Sequence, residues 1–141
     1  MTGSDMTFTG RTVLVAGASS GIGRETALMF ASDGAKVIAV ARSADKLNTL
    51  KEEASGDITV LAGDLTESTF IDRLADEAGD VDILVNLAGR TAHAPFLDSD
   101  PSIWRAAWEL NVFALLRLSQ AIARGMVTRK QGHIINVSSV L

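Results

Sequence analysis

The chain alternates short apolar runs with longer stretches whose apolar residues recur at helical spacing. Five runs are rich in valine, isoleucine and leucine, as in strands buried on both faces: residues 12–18, 36–42, 58–64, 81–89 and 133–139. The spacing between them predicts four helices, over residues 22–34, 44–54, 66–78 and 102–129. Strand alternating with helix indicates an α/β fold, a doubly wound parallel sheet in strand order 3-2-1-4-5 with flanking helices.

Short polar residues precede three of these helices and are expected to cap them. Ser43 precedes the second helix and Thr66 the third. Ser99 or Asp100 is expected to cap the last helix, with Pro101 at its first position. The first helix is expected to pack through residues that recur at helical spacing: Ile22, Thr26, Met29 and Phe30.

The composition is that of one folded domain. The 141 residues are 47% apolar and 21% charged, and no linker or composition shift divides them. The net charge is −4 without a basic block, which argues against a nucleic-acid partner. No apolar run reaches the ~20 residues of a membrane span, and the first ten residues lack the pattern of a secretory signal. We therefore expect a single cytoplasmic domain over residues 1–141 with no membrane partner.

No metal site is expected. The chain has no cysteine, which excludes disulfides and thiolate metal ligands. The two histidines, His93 and His133, lack metal-ligand spacing with other histidines or carboxylates.

A glycine-rich turn joins the first strand to the first helix. Its glycines, Gly17, Gly21 and Gly23, follow a GxxxGxG spacing. Glycine lets the backbone approach a ligand closely, and a helix N-terminus offers unpaired N–H groups with a partial positive charge. The turn is therefore expected to cradle a pyrophosphate at the carboxyl end of the strand. The alternative is a tight strand–helix turn that binds no ligand.

Four further segments follow this turn in order: Asp64-Leu65, Asn86-Leu87-Ala88-Gly89, Asn111, and Asn136-Val137-Ser138-Ser139. Together with the turn AGASSGIG at residues 16–23, they resemble the N-terminal, cofactor-binding portion of the short-chain dehydrogenase/reductase family. That family's turn reads TGxxxGIG and its fourth-strand motif reads NNAG, so Ala16 and Leu87 depart from its pattern. The resemblance implies a Rossmann-like fold without the C-terminal part of the family fold.

The same resemblance assigns roles to particular residues. Asn111 and Ser139 match the family's catalytic asparagine and serine. Contacts with a nicotinamide dinucleotide are implied for residues of the turn and of the later strand ends: Gly17, Ser19, Ser20, Gly21, Ile22, Gly23, Asp64, Leu65, Asn86, Ala88 and Gly89.

The end of the second strand predicts which dinucleotide binds. A site of this kind places a ribose-selecting residue there, and an acid would repel a 2′-phosphate. This position carries Ala41, followed by Arg42, whose guanidinium can pair with a phosphate, and by Ser43, which can donate a further hydrogen bond. We therefore expect NADP(H) rather than NAD(H). The alternative is that Arg42 is a solvated surface charge.

One side chain that the implied reaction requires is missing. The family transfers a hydride between nicotinamide and a carbonyl or secondary alcohol, with the tyrosine of a Tyr-x-x-x-Lys motif as general acid/base. The 141 residues contain no tyrosine, so this chain alone is expected to be inactive. Three hypotheses stand: part of an NADP(H)-dependent oxidoreductase, a non-catalytic dinucleotide-binding module, or one half of a split enzyme.

The last predicted helix is apolar on more than one side. Trp104 and Trp108 lie one turn apart beside a separate apolar stripe. A helix covered only by its own sheet needs one apolar face. The helix around Trp104–Arg124 is therefore expected to make a second contact, either with a partner subunit or with the missing C-terminal portion of the family fold. The resemblance implies a homo-oligomer built on this helix and, as the other partner, a small-molecule carbonyl or alcohol substrate.

Overall fold

Five parallel strands form the sheet on which the rest of the chain is arranged. The structure is a computed structural model, and it describes residues 6–139. The strands are Thr12–Ala16 (β1), Lys36–Ala41 (β2), Ile58–Ala62 (β3), Ile83–Asn86 (β4) and His133–Asn136 (β5). Their order is β3-β2-β1-β4-β5 with every pair parallel, which confirms the predicted doubly wound, Rossmann-like sheet.

The helices confirm the predicted alternation and correct one prediction. They are Gly21–Ser32 (α1), Ala44–Glu53 (α2), Ser68–Ala78 (α3), Pro101–Trp108 (α4) and Leu115–Arg129 (α5), with a short 3₁₀ turn at Phe96–Asp98. The single helix predicted for 102–129 is wrong in its middle, because Glu109–Ala114 form a π-helical segment between α4 and α5. A π segment takes an additional residue into a helical turn and is common at functional sites. This one contains Asn111.

Helices cover both faces of the sheet, and β1 shows how each face acquires its core. Val13 and Val15 point to one face, where they pack with residues of α1 and α2. Leu14 and Ala16 point to the other face, where they pack with residues of α3 and α5. Burial on both faces explains why the strand sequences are almost continuously apolar.

The packed side of α1 differs from the predicted one. Gly23, Ala27 and Ala31 are buried, whereas Ile22 and Met29 are 69% and 66% exposed. A Cβ on Gly23 would overlap the backbone of the glycine turn. The close approach of the helix to the turn and sheet therefore requires small residues on its inner side. Ile22 and Met29 lie outside, whereas Phe30 of the predicted set is half-buried and packs against the core.

Two of the predicted helix caps are present, and one is wrong. Ser43 accepts a hydrogen bond from a backbone N–H in the first turn of α2 (3.3 Å). Asp100, rather than Ser99, does the same for α4 (2.7 Å). At α3 the capping position is Glu67, one residue later than the predicted Thr66, and its side chain makes no cap bond.

Strand β5 lies at one edge of the described sheet and is exposed along its whole length. Ile134 and Ile135 retain 38% and 45% of their surface. Among the described residues the strand pairs with β4 alone.

Candidate active site

The predicted site residues gather at the carboxyl ends of the strands. The residue after a strand donates its backbone N–H to the end of the neighbouring strand: Gly17 to Val40 (2.8 Å), Gly63 to Ala41 (3.0 Å), Leu87 to Ala16 (2.9 Å) and Val137 to Asn86 (3.1 Å). These bonds hold the starts of the loops at one level, so the loops that carry Arg42, Asp64, Gly89 and Ser139 leave the sheet side by side. This is the edge at which open α/β sheets bind ligands.

The glycine turn packs tightly against the protein on one side only. Gly17 has a φ of +94°, and a Cβ there would lie 2.6 Å from the backbone nitrogen of Ala88. Only glycine tolerates both constraints. Gly21 also has a positive φ, +55°, but a Cβ there would meet nothing within 4 Å. The turn is therefore closed towards the loop after β4 and open at Gly21, where a ligand can approach.

The N-terminus of α1 is suited to an anion. Ser20 is its N-cap, in an extended conformation, and the Ser20 side chain makes no cap hydrogen bond. The first turn contains no acidic residue. Ser20 and Ile22 are exposed and Ser19 is half-buried, so backbone and hydroxyl donors border the open side of the turn. Together with the partial positive charge of a helix N-terminus, these donors fit a pyrophosphate.

Arg42 and Asp64 follow the adjacent strands β2 and β3. The Asp64 Oδ1 atom accepts hydrogen bonds from the Thr66 backbone N–H (2.9 Å) and hydroxyl (2.8 Å). These bonds, with a smaller contribution from the Arg42 charge, lower the pKa of Asp64 below its ordinary value. Thr66, which was expected to cap α3, thus orients an ionised carboxylate instead. Arg42 is exposed, and beside it Ser43 is held in place by its capping bond.

Two residues predicted to contact a cofactor lie in the interior. Leu65 is 5% exposed and belongs to the core between the sheet, α3 and α5. Asn86 has no exposed surface, and its Nδ2 donates to Asn136 Oδ1 (2.8 Å) and to Ser119 Oγ (3.1 Å). The Asn86 Oδ1 atom is buried and has no hydrogen-bond partner among the described residues. The structure therefore offers a ligand no direct contact with either side chain.

Asn111 is bonded to the loop that follows β4. Its Oδ1 accepts from the Arg90 N–H and its Nδ2 donates to the Arg90 carbonyl, both at 2.8 Å. A Cβ on the preceding Gly89 would lie 3.2 Å from the Asn111 Oδ1, so the loop can approach the amide closely. Ala88 is half-buried and Gly89 exposed beside it. The Asn111 side chain thus fixes the course of this loop. The backbone of Asn111 itself belongs to the π segment.

Ser139 lies beyond the carboxyl end of β5, three residues after Asn136, and is exposed. The parallel order of the sheet brings it to the same edge as the glycine turn and the loop after β4. The catalytic roles of Ser139 and Asn111 stay predictions.

Three residues that shape this edge have no predicted role: Arg90, Ser119 and Asn136. A signal existed for Asn136, which belongs to one of the quoted segments, because Asn86 and Asn136 end β4 and β5 and the parallel register places them opposite each other. No comparable signal marks Ser119 or the backbone of Arg90.

Residues 6–139 contain no group of three or more histidine, aspartate or glutamate side chains placed to hold a metal ion. They also contain no helix of the length and hydropathy needed to cross a bilayer.

Comparison with known proteins identifies the family. A model of the family described as short chain dehydrogenase matches residues 11–141. L-xylulose reductase of Mesocricetus auratus is 38% identical over 136 residues, which cover 96% of this chain and 55% of that protein.

Solved structures agree with this assignment. One is a 7α-hydroxysteroid dehydrogenase complexed with NADH and 7-oxo glycochenodeoxycholic acid (TM-score 0.89, 35% identity, 96% of this chain and 55% of that one). Another is a metagenomic short-chain oxidoreductase in complex with NADP (TM-score 0.88, 36% identity, 94% and 63%). The chain spans about half the length of the curated relatives it matches. The strand order, the glycine turn and these matches together show that the chain belongs to the short chain dehydrogenase family.

Proposed function

We propose that the protein is an NADP(H)-dependent oxidoreductase that transfers a hydride between nicotinamide and a carbonyl or secondary alcohol of a small molecule. The observation that carries this proposal is the open side of the glycine turn, bordered by an acid-free helix N-terminus and followed, on the next strand, by Arg42. The solved relatives in complex with NADH and with NADP support a nicotinamide dinucleotide of either kind. In this proposal residues 1–141 form one cofactor-binding domain.

The residues at the carboxyl ends of the strands have different roles in this proposal. The backbone of the glycine turn and the start of α1 bind the pyrophosphate, and the Arg42 guanidinium pairs with the 2′-phosphate. The ionised Asp64 accepts a hydrogen bond from the adenine amino group. Ser139 donates a hydrogen bond to the substrate oxygen, while Asn111 holds the loop that borders the reacting end. When bound, nicotinamide supplies or accepts the hydride.

Cofactor titration of the purified chain tests the assignment. A guanidinium–phosphate pair is a charge-assisted, bidentate contact, so Arg42→Ala should raise the Kd for NADPH by about 10- to 100-fold. NADH lacks the 2′-phosphate, and its Kd should change by less than about twofold. Binding of both cofactors is measured by calorimetric titration at fixed ionic strength, because salt screens this contact.

Arg105→Ala is the matched control, since Arg105 is an exposed arginine on α4. It removes the same charge from the chain and should leave both affinities unchanged. An equal loss of NADPH and NADH binding in Arg42→Ala, or no preference for NADPH in the unchanged chain, would contradict the NADP(H) assignment.

A second function deserves a test because the 141 residues contain no tyrosine. A chain without that acid/base could serve as a dinucleotide-binding module, or as one half of a split enzyme. Sequencing the coding region beyond residue 141 separates the candidates. A Tyr-x-x-x-Lys segment shortly after Ser139 supports the oxidoreductase, whereas a stop codon together with a monodisperse product that binds NADPH supports the module.

We also propose a homo-oligomer that uses the helix around Trp104–Arg124. Trp108 and Leu116 are 57% and 51% exposed on it, and burial of such residues would favour association. Leu116→Glu should shift the chain towards monomer in analytical ultracentrifugation. Asn48→Glu, at an exposed polar position of α2 on the other face of the sheet, should not. The cytoplasmic location stays a prediction.

A further inference from the structure

Phe70 of α3 lies directly against the backbone of Gly63, the first residue after β3. A Cβ on Gly63 would lie 2.3 to 2.5 Å from three carbons of the Phe70 ring. Leu61 and Leu65, two positions before and after Gly63, both pack with the core between the sheet, α3 and α5. Position 63 therefore belongs to the same inward row, and the Phe70 ring occupies the space that a side chain there would take.

This contact explains why position 63 is a glycine. Gly63 does not have a positive φ, so its backbone conformation alone does not require glycine. The Phe70 ring is 6% exposed, and the Arg73 guanidinium lies over it, 5.2 Å from the ring centroid. Because a ring enclosed in this way moves aside only at a cost, a side chain at position 63 would displace the loop instead.

The loop that begins at Gly63 carries Asp64 in a closed turn. The Asp64 carbonyl accepts the Glu67 N–H (3.1 Å), and the Asp64 Oδ1 accepts the Thr66 N–H (2.9 Å) and hydroxyl (2.8 Å). These bonds fix the carboxylate within residues 64–67. Since all of them lie inside the turn, they do not determine where the turn lies relative to the sheet.

Contacts outside the turn determine that position. The Gly63 N–H donates to the Ala41 carbonyl of β2 (3.0 Å), and the Leu65 side chain is buried in the core. The Phe70 ring contacts the residue immediately before Asp64, so it limits how closely the start of the turn can approach α3. The position of the carboxylate at the carboxyl end of β3 therefore depends on the Phe70 ring as well as on the local bonds.

We propose that Phe70 and Gly63 are positioning residues, whose contact places the Asp64 carboxylate at the cofactor edge and thereby sets the preference for an adenine base. This inference rests on the proposed function, in which Asp64 accepts a hydrogen bond from the adenine amino group. Its geometric part concerns only how the turn is held and can be tested without a cofactor.

The functional part is tested with NADPH and its hypoxanthine analogue, in which an oxo group replaces the amino group of the adenine. The oxo group cannot donate to a carboxylate, so the unchanged chain should bind NADPH about tenfold more tightly than the analogue. In Phe70→Leu and in Gly63→Ala this ratio should fall to about two- to threefold, because the carboxylate moves away from the amino group. Calorimetric titration of both ligands gives the ratio.

Leu74→Val is the matched control for a loss of core packing. Leu74 is fully buried in the same core, one turn further along α3. Its replacement should lower the melting temperature but leave the ratio unchanged. Asp64→Ala should abolish the preference for NADPH. Gly63→Ala combined with Phe70→Ala should lose no more preference than Phe70→Ala alone, because the added methyl group enters the space that the ring has left.

Amide hydrogen exchange of the 141-residue chain tests the geometric part. The amide of residue 63 is bonded to the Ala41 carbonyl, and its protection should fall about tenfold in Phe70→Leu and in Gly63→Ala because the start of the turn is displaced. The Val37 amide, bonded to the Asp57 carbonyl (2.9 Å) near the amino end of β2, should change by less than about twofold.

An unchanged preference for NADPH in both Phe70→Leu and Gly63→Ala would overturn the inference, as would an equal loss in Leu74→Val. A different result would contradict the proposed function: no binding of NADPH by the unchanged chain, or a preference that survives Asp64→Ala. The exchange at residue 63 then still decides how the turn is held. Normal binding together with unchanged protection at residue 63 contradicts the positioning role alone.

Discussion

Two parts of the sheet, β1–β3 and β4–β5, are held in place by different contacts where their strands end at the candidate site. On the β1–β3 side the strands are largely buried, with Ala16 and Val40 fully enclosed where the loops begin. The loops there are ordered by their own local bonds, those of Ser43 to α2 and of Thr66 to Asp64. On the β4–β5 side the last strand is exposed, and order comes from long-range amide bonds.

This difference parallels the two proposed tasks. The β1–β3 side carries the residues assigned to the adenosine and phosphate part of the cofactor. Short-range contacts shape the loops of Arg42 and Asp64 there, while the glycine turn also packs against Ala88. The β4–β5 side carries Asn111 and Ser139, and its loops depend on residues 21 and 50 positions away, through Asn111–Arg90 and Asn86–Asn136. In the proposed assignment, the loops of Arg42 and Asp64 are thus held by contacts closer in sequence than those that hold the loops after β4 and β5.

Gly17, which packs against the loop after β4, is the position where we expect a substitution to destabilise the fold most. Gly17→Ala combines a left-handed φ with a Cβ 2.6 Å from the Ala88 nitrogen, and we expect it to lower the free energy of unfolding by about 4 kcal/mol. Gly21→Ala has the positive φ without the contact and should cost about 1 kcal/mol. Urea denaturation of both variants measures the difference; equal losses would show that the contact with the β4 loop is unimportant.

A matched pair of isoleucines compares the two edge strands directly. Ile58 of β3 is 3% exposed, and Ile58→Ala should cost about 3 kcal/mol through the cavity that it leaves. Ile135 of β5 is 45% exposed, and Ile135→Ala should cost about 1 kcal/mol or less. Urea denaturation gives both values. Similar losses of unfolding free energy in Ile58→Ala and Ile135→Ala would contradict the difference in burial between β3 and β5.

The loop after β4 should depend on the Asn111 side chain. Asn111→Ala removes both bonds to Arg90 and should lower the free energy of unfolding by about 1 kcal/mol. Asn111→Asp keeps the acceptor for the Arg90 N–H but places a carboxylate oxygen against the Arg90 carbonyl, so it should lower the free energy of unfolding at least as much as the alanine variant. Exchange of the Arg90 amide provides the local readout, and equal exchange in all three proteins would contradict this account of the loop.

The smallest expected effect is the pH dependence contributed by Asp64. Because hydrogen bonds from Thr66 lower its folded-state pKa, the contribution is fully present above the unfolded pKa, near 3.8. It is lost as the pH falls through the lower folded value. Asp64→Asn should flatten the fall in unfolding free energy between pH 5 and pH 3, two values spanning about one unit on each side of the ordinary pKa. Thr66→Val keeps the backbone bond and should flatten it only in part; an unchanged pH profile in Asp64→Asn would contradict the assignment.

The order and direction of the strands could be predicted because both are encoded in local patterns. Each apolar run is long enough for a buried strand, and alternation with helices admits only a parallel sheet. Capping by Ser43 and Asp100 was equally predictable, since a cap depends on residues two or three positions away.

The errors occurred where tertiary contact decides the outcome. Ile22 and Met29 carry the apolar signal of α1, yet the closeness of the glycine turn requires Gly23 and Ala27 on the inner side. The hydrogen bond between Asn86 and Ser119, 33 positions away, was likewise not predicted. Such contacts leave no local periodicity.

The π segment between α4 and α5 has a consequence for how this chain tolerates insertions and deletions. One residue added to or removed from a regular α-helix rotates everything after it by about 100°. The wide turn of Glu109–Ala114 takes up an additional residue within itself. Deleting one residue there in favour of a regular α-helix would therefore leave the fifteen residues of α5 facing as they do now, with Leu118, Ile122 and Met126 still towards the core. The same deletion at the start of α5 would rotate these three side chains away from the core, so the π segment is where this helix accommodates the loss of one residue.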